Sequence, residues 1–202
     1  MRKIKLFILI MVILCIKFTI ITKGESYYDI NLPKSIQEFL YNKSQYYNIE
    51  YELALAIIAL ETEETFDMNF KSNNINNIGK IISVDRGLFQ INSNYEKWYA
   101  ELAKINNDDY DAYEPCCNIV MGLAGLQYWR EQVIKELKLN NEEEILIATL
   151  ECYNKGLEGY KRYIKDNNTK QSAYSKNVLK YYNRIKEGEY VEKRGKIQRL
   201  TN

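Results

Sequence analysis

Histidine is absent from the 202 residues. That excludes Ser-His-Asp and Cys-His catalysis and every histidine-ligated metal site, so chemistry here must run on carboxylates, hydroxyls, thiols, lysines or amides. Proline occurs twice and glycine nine times, a scarcity that favours long helices over a loop-rich sandwich. A dominant charge is also missing. The chain is +1 overall, with 23 bases against 26 acids once residues 1–26 are set aside, so no nucleic-acid partner is expected. The sequence contains no internal repeat, no phosphate-cradling glycine loop and no paired Cys-x-x-Cys. Cys116, Cys117 and Cys152 do not have the spacing of zinc ligands, and neither a metal nor a cofactor is expected.

What is present reads as one globular domain. Hydrophobic residues make up 46% and charged residues 27%, the balance of a packed chain rather than a disordered one. Arg2, Lys3 and Lys5 precede an apolar run from Leu6 to Ile21, the pattern of a secretory signal. The run is also close to the ~20 residues that span a bilayer, so an uncleaved membrane anchor is the alternative, and a membrane is a partner only in that case. Either way the remainder is expected outside the cytoplasm. The expected organisation is 1–26 signal or anchor, 27–187 a single folded domain, and 188–202 a solvated tail.

Several helices are legible. Ser35 with Glu38 resembles a capping box, opening a helix that buries Ile36, Phe39 and Leu40. Asn48 is placed to cap the next helix, which carries the apolar run Leu53–Leu60. Residues 67–80 are polar and read as a loop. A short β element follows near residues 78–90, with Ile81-Ile82 as a strand and Asp85-Arg86-Gly87 as its turn. Pro115 starts a long helix bearing Ile119, Leu123, Leu126, Trp129 and Val133, where Gly122, Ala124 and Gly125 admit a close neighbour. Asn141 with Glu144 caps the helix that reaches Cys152-Tyr153-Asn154, and Gly156 is placed to end it. Ser172 begins the last helix, with Tyr174, Val178, Tyr181 and Ile185 on one side.

Glu61 ends the Leu53–Leu60 run, four residues after Ile57 and beside the same face. A carboxyl group there loses hydration, which raises its pKa and suits it to general-acid work. Read from this run alone, it is equally the end of a helix with exposed acids, since Glu63 and Glu64 follow.

Three segments stand in order: Leu53–Thr62 ending in Glu61-Thr62, Gly87-Leu88-Phe89-Gln90, and Tyr153-Asn154-x-Gly156. This order resembles the lytic transglycosylase domain of the soluble-transglycosylase (SLT) family, whose pattern is Glu-Ser, then Gly-Leu-Met-Gln, then Ala-Tyr-Asn-x-Gly. The resemblance implies a mainly α, lysozyme-like single domain acting on peptidoglycan glycan strands. It implies Glu61 as the catalytic acid and base, a cleft lined by Gln90 and Tyr153, and Asn154 supporting the floor beneath Tyr153. Thr62, Gly87 and Phe89 are carried over as substrate-binding positions. Cys116 and the spelling SVDRGLFQIN are similar to small transglycosylases of conjugation and type IV secretion, which implies an envelope-spanning complex as a partner. Asp85 stands where animal-type lysozymes carry an aspartate just before Gly-x-Phe-Gln-Ile-Asn. It is therefore either a second carboxylate of a hydrolase or a turn residue. Packing of the two helices in this fold would let Cys116 or Cys117 reach Cys152, and an exported chain would keep such a disulfide.

Overall fold

The computed structural model describes residues 27–106 and 109–188, and the backbone of residues 199–200. The chain order is β1 (Tyr27–Tyr28), α1 (Lys34–Tyr46), α2 (Tyr51–Glu61), β2 (Lys71–Ile75), β3 (Ile81–Arg86), β4 (Ile91–Asn92), α3 (Glu96–Leu102), α4 (Pro115–Leu137), α5 (Glu142–Asn167), α6 (Ala173–Lys186) and β5 (Arg199–Leu200). The mainly α reading holds. The predicted signal or anchor lies outside the described residues, as does most of the tail, of which β5 pairs antiparallel with β1. Among the described residues, no helix is long and apolar enough to cross a membrane.

Helix α2 is the centre. Tyr51 and every residue from Leu53 to Ala59 are buried, so the helix is enclosed on all sides rather than striped. Leu55, Ile57 and Ile58 are each at most 1% exposed, and each such burial stabilises by about 1.5–3 kcal/mol. α2 packs mainly along α6 and also against α1, while α4 packs along α5, α3 and α1. Gln37 stitches the amino-terminal segment to this core. Its Nε2 donates to the carbonyls of Tyr28 and Leu32, and its Oε1 accepts from Tyr28 N–H and the Tyr51 hydroxyl.

The caps divide. Asn141 accepts from Glu144 N–H and Ser172 from Tyr174 N–H, and Pro115 is the first residue of α4, as expected. Ser35 and Asn48 cap nothing. α1 begins after Pro33 and α2 after Glu50, neither with a side-chain cap, and Asn48 instead takes a positive φ of 53° in the turn between them. Gly156 interrupts α5 as expected: with φ 70° and ψ 164°, extended rather than left-handed helical, it separates one helical segment from a second that runs on to Asn167.

The β element is larger than expected. Residues 71–75, read as loop, form the edge strand of a three-stranded antiparallel sheet ordered β2-β3-β4. Asp85 is in strand β3, paired with Ser72 and Asn92, and is not a turn residue. Alternating polar Asn and Ser hide a strand when one face is solvated and the other lines a cleft.

Candidate active site

Glu61, Asp85, Gln90 and Tyr153 line one cleft of about 780 Å³, together with Asn74, Asn92 and a cluster of aromatic rings. Glu61 arrives as the last residue of α2, so the buried helix fixes its backbone. The Tyr174 hydroxyl, from the first turn of α6, donates to its Oε1 at 2.7 Å. Burial raises the Glu61 pKa, the Tyr174 bond opposes the rise, and the negative charge of Asp85 adds to it, leaving the carboxyl at about 7. A carboxyl so placed holds its proton near neutral pH and can still release it.

Asp85 projects from β3 with both oxygens held. Asn92 Nδ2 donates to Oδ1 at 2.6 Å and Asn74 Nδ2 to Oδ2 at 2.9 Å. The neighbouring wall is the Gly87–Gln90 turn, clamped from two helices. Asn118, fully buried on α4, accepts from Phe89 N–H and donates to the carbonyls of Arg86 and Ala112, each at 2.8 Å. From α5, the Tyr153 hydroxyl donates to the Phe89 carbonyl at 2.8 Å. A side chain on Gly87 would meet the Asn118 amide at 2.5 Å, and φ there is +71°, so the turn requires glycine. Gln90 Nε2 donates to the carbonyls of Gly87 (2.8 Å) and Phe70 (3.1 Å), which leaves Oε1 without a protein partner.

Three of the carried-over substrate contacts are corrected. Thr62 is fully buried, its hydroxyl donating to the Ile58 carbonyl and accepting from Phe66 N–H, so it holds the turn after α2. Gly87 is buried against Asn118 and Ala112, and Phe89 is fully buried against Gly122 of α4, so neither faces the cleft. Asn154 lines the cleft from its exposed rim, accepting from Lys155 Nζ at 2.9 Å, rather than forming a floor beneath Tyr153. The disulfide is also corrected: Cys116, Cys117 and Cys152 are free. Cys152 packs with Val133, sixteen residues along α4 from Cys117, a separation of about 24 Å at the helical rise.

The transglycosylase SLT domain family matches residues 39–176, well over half of the chain. The chain belongs to the SLT family. Its fold is similar to the crystal structure of the 70 kDa soluble lytic transglycosylase Slt70 from Escherichia coli, with a TM-score of 0.51 at 20% identity. The match covers 75% of this chain and 24% of that one, so the SLT domain described here spans about a quarter of its structural relative. No curated protein matches the chain in sequence.

Within this SLT domain, the sequence reading missed Tyr174 as the partner of Glu61, because a tyrosine on an apolar helix face reads as core. It missed the asparagines that hold Asp85, which lay in or beside a presumed loop. It also missed the aromatic end of the cleft. Trp98 of α3 meets Tyr128 and Trp129 of α4 edge-on or tilted, at ring separations of 5.1 and 5.9 Å. Two adjacent aromatic pairs, Trp98-Tyr99 and Tyr128-Trp129, were the available signal. Such rings offer flat apolar faces to the CH-rich faces of sugars.

Proposed function

We propose that this SLT domain cleaves the β-1,4 bond between N-acetylmuramic acid and N-acetylglucosamine in peptidoglycan and closes a 1,6-anhydro ring on the muramic acid. The observation that carries this reading is Glu61, hydrogen-bonded by Tyr174 in the cleft and poised at about 7. The protonated carboxyl gives its proton to the glycosidic oxygen as the C1–O bond breaks. The substrate's acetamido oxygen bonds to C1 and carries the positive charge, as in substrate-assisted glycosidases. Glu61, now ionised, takes the proton of the C6 hydroxyl. O6 then displaces the acetamido oxygen from C1, and the carboxyl is again protonated. No water is consumed and one carboxylate suffices.

Gln90 lines the cleft with its amide anchored on the Gly87 and Phe70 carbonyls, while Tyr153 acts by holding the Phe89 turn and presenting its ring. The substrate implies an exported protein of the cell envelope. The likeness to conjugation-associated relatives around Cys116 and Asp85 supports work beside an envelope-spanning complex.

One observation favours a second reading. Asp85 shares the cleft with Glu61, and two amide donors hold its carboxyl group there, the placement a two-carboxylate glycosidase requires. A muramidase would use it against the reacting carbon and admit water. Mass analysis of muropeptides released from purified sacculi separates the two. The expected product ends in 1,6-anhydro-N-acetylmuramic acid, one water lighter than the hydrolytic product, and Asp85→Asn retains most activity. Reducing muramic ends together with an inactive, folded Asp85→Asn would make the protein a hydrolase.

A further inference from the structure

The β2–β3 hairpin carries an apolar cluster that the cleft does not use. Ile75, Ile78, Ile81 and Ile82 are 63%, 84%, 51% and 57% exposed. Three of them share one face. Asn74 and Ser83, which pair across the hairpin, face the cleft side, where Asn74 bonds Asp85 and Ser83 bonds Asn92. Ile75 follows Asn74 and Ile82 precedes Ser83, so both point the other way. A register shift then pairs Ile75 with Ile81, bringing Ile81 to that same outer face. Ile78 stands at the apex.

Two features say what covers this tip. From Met68 to Val84 there are two lysines, Lys71 and Lys80, and no acid. Four N–H groups of the apex, those of Asn76, Ile78, Gly79 and Lys80, are already used within the hairpin. Asn76 N–H donates to the Lys80 carbonyl and Gly79 N–H to the Asn76 carbonyl, both at 2.9 Å. Asn76 Oδ1 accepts from Ile78 and Lys80 N–H. A loop with most of its backbone donors satisfied internally leaves bulk water at reduced cost, which favours entry into a lipid interface. Isoleucines at depth with lysines at headgroup level complete the pattern.

We propose that this hairpin tip docks into the interfacial layer of an anionic lipid bilayer, with Ile75, Ile78, Ile81 and Ile82 as the inserted side chains and Lys71 and Lys80 on the headgroups. The cleft lies on the opposite face of the hairpin and stays open, so a docked domain works on polymer close to the membrane surface.

Hydrogen exchange of the full chain tests this without reference to activity, and reads the hairpin separately from any other membrane-binding segment. With phosphatidylglycerol vesicles, amides of residues 70–84 should exchange at least about threefold more slowly, while those around the exposed Tyr46 should not change. Phosphatidylcholine vesicles should have no such effect. The Ile78→Asp/Ile82→Asp chain, altered only at exposed side chains, should lose the slowing and keep its exchange elsewhere. Unchanged exchange of residues 70–84 on phosphatidylglycerol would overturn the proposal, as would equal slowing on phosphatidylcholine or in the Asp variant. Slowing that tracks protein concentration without lipid would assign the tip, and the open edge of β2, to a second copy of the chain.

Discussion

The Tyr174 hydroxyl donates a 2.7 Å hydrogen bond to Glu61 Oε1 across 113 positions of sequence. It joins the end of the buried helix α2 to the start of α6, and it opposes the rise in the carboxyl's pKa. Tyr174 thus positions Glu61 and keeps its proton transferable.

Glu61→Gln preserves shape but cannot cycle a proton. Activity on sacculi should fall at least ~100-fold, with the thermal midpoint unchanged or raised. The sign follows from linkage. A carboxyl whose folded value is raised from 4.5 to about 7 contributes stability that is full below 4.5 and is lost as pH rises through about 7. At pH 8 the wild type therefore bears a buried charge that the amide lacks. Near-normal turnover by the folded variant would remove Glu61 from the mechanism.

The pH–rate profile should fall as pH rises through about 7, where Glu61 loses its proton. Tyr174→Phe removes the bond that lowers this value, so the falling limb should move to higher pH. Asp85→Asn removes a negative charge that raises it, so the limb of the remaining activity should move to lower pH. Shifts in the same direction in both variants would contradict the assignment of the limb to Glu61.

Thr62→Val leaves Phe66 N–H without its acceptor in a buried turn. The cost should be about 1–3 kcal/mol in urea unfolding. KM should be unchanged, because Thr62 does not face the cleft, and a raised KM would restore it as a substrate contact.

Gly122→Ala would place a methyl group onto the Phe89 ring, in a part of the core with no room to yield. Overpacking there should destabilise by about 1–3 kcal/mol. It should also lower activity, since Phe89 anchors the turn that carries Gln90. A stability equal to wild type would mean that α4 and this turn do not pack as closely as described.

Alkylation of the native protein should modify Cys116 and Cys117, which are partly exposed, and spare Cys152 until the chain unfolds. Burial pushes the Cys152 thiol up to about 12, so it is unreactive for reasons of access and of ionisation. Peptide mapping of the labelled protein reads this directly.

The sequence alone marked the long helices and singled out Glu61 as the candidate acid. Pro115, Asn141 and Ser172 mark helix starts by local chemistry, and an apolar run that ends in one carboxylate needs no tertiary information to be noticed. Local rules failed where a segment's environment came from elsewhere in the chain. Residues 71–75 read as loop because their Asn and Ser face a cleft that exists only after folding. Thr62, Gly87 and Phe89 carried a motif's reputation for binding, yet packing turned each of them inward, to hold the wall rather than to line it. The cysteines share a pair of packed helices, but not a level along them. Tyr174 and Glu61 meet only because α6 lies along α2, and a contact between distant positions has no period, cap or turn signature in the sequence. Composition and spacing decided which groups were available; the packing of α2 against α6, and of β3 beside the cleft, decided which of them share a proton.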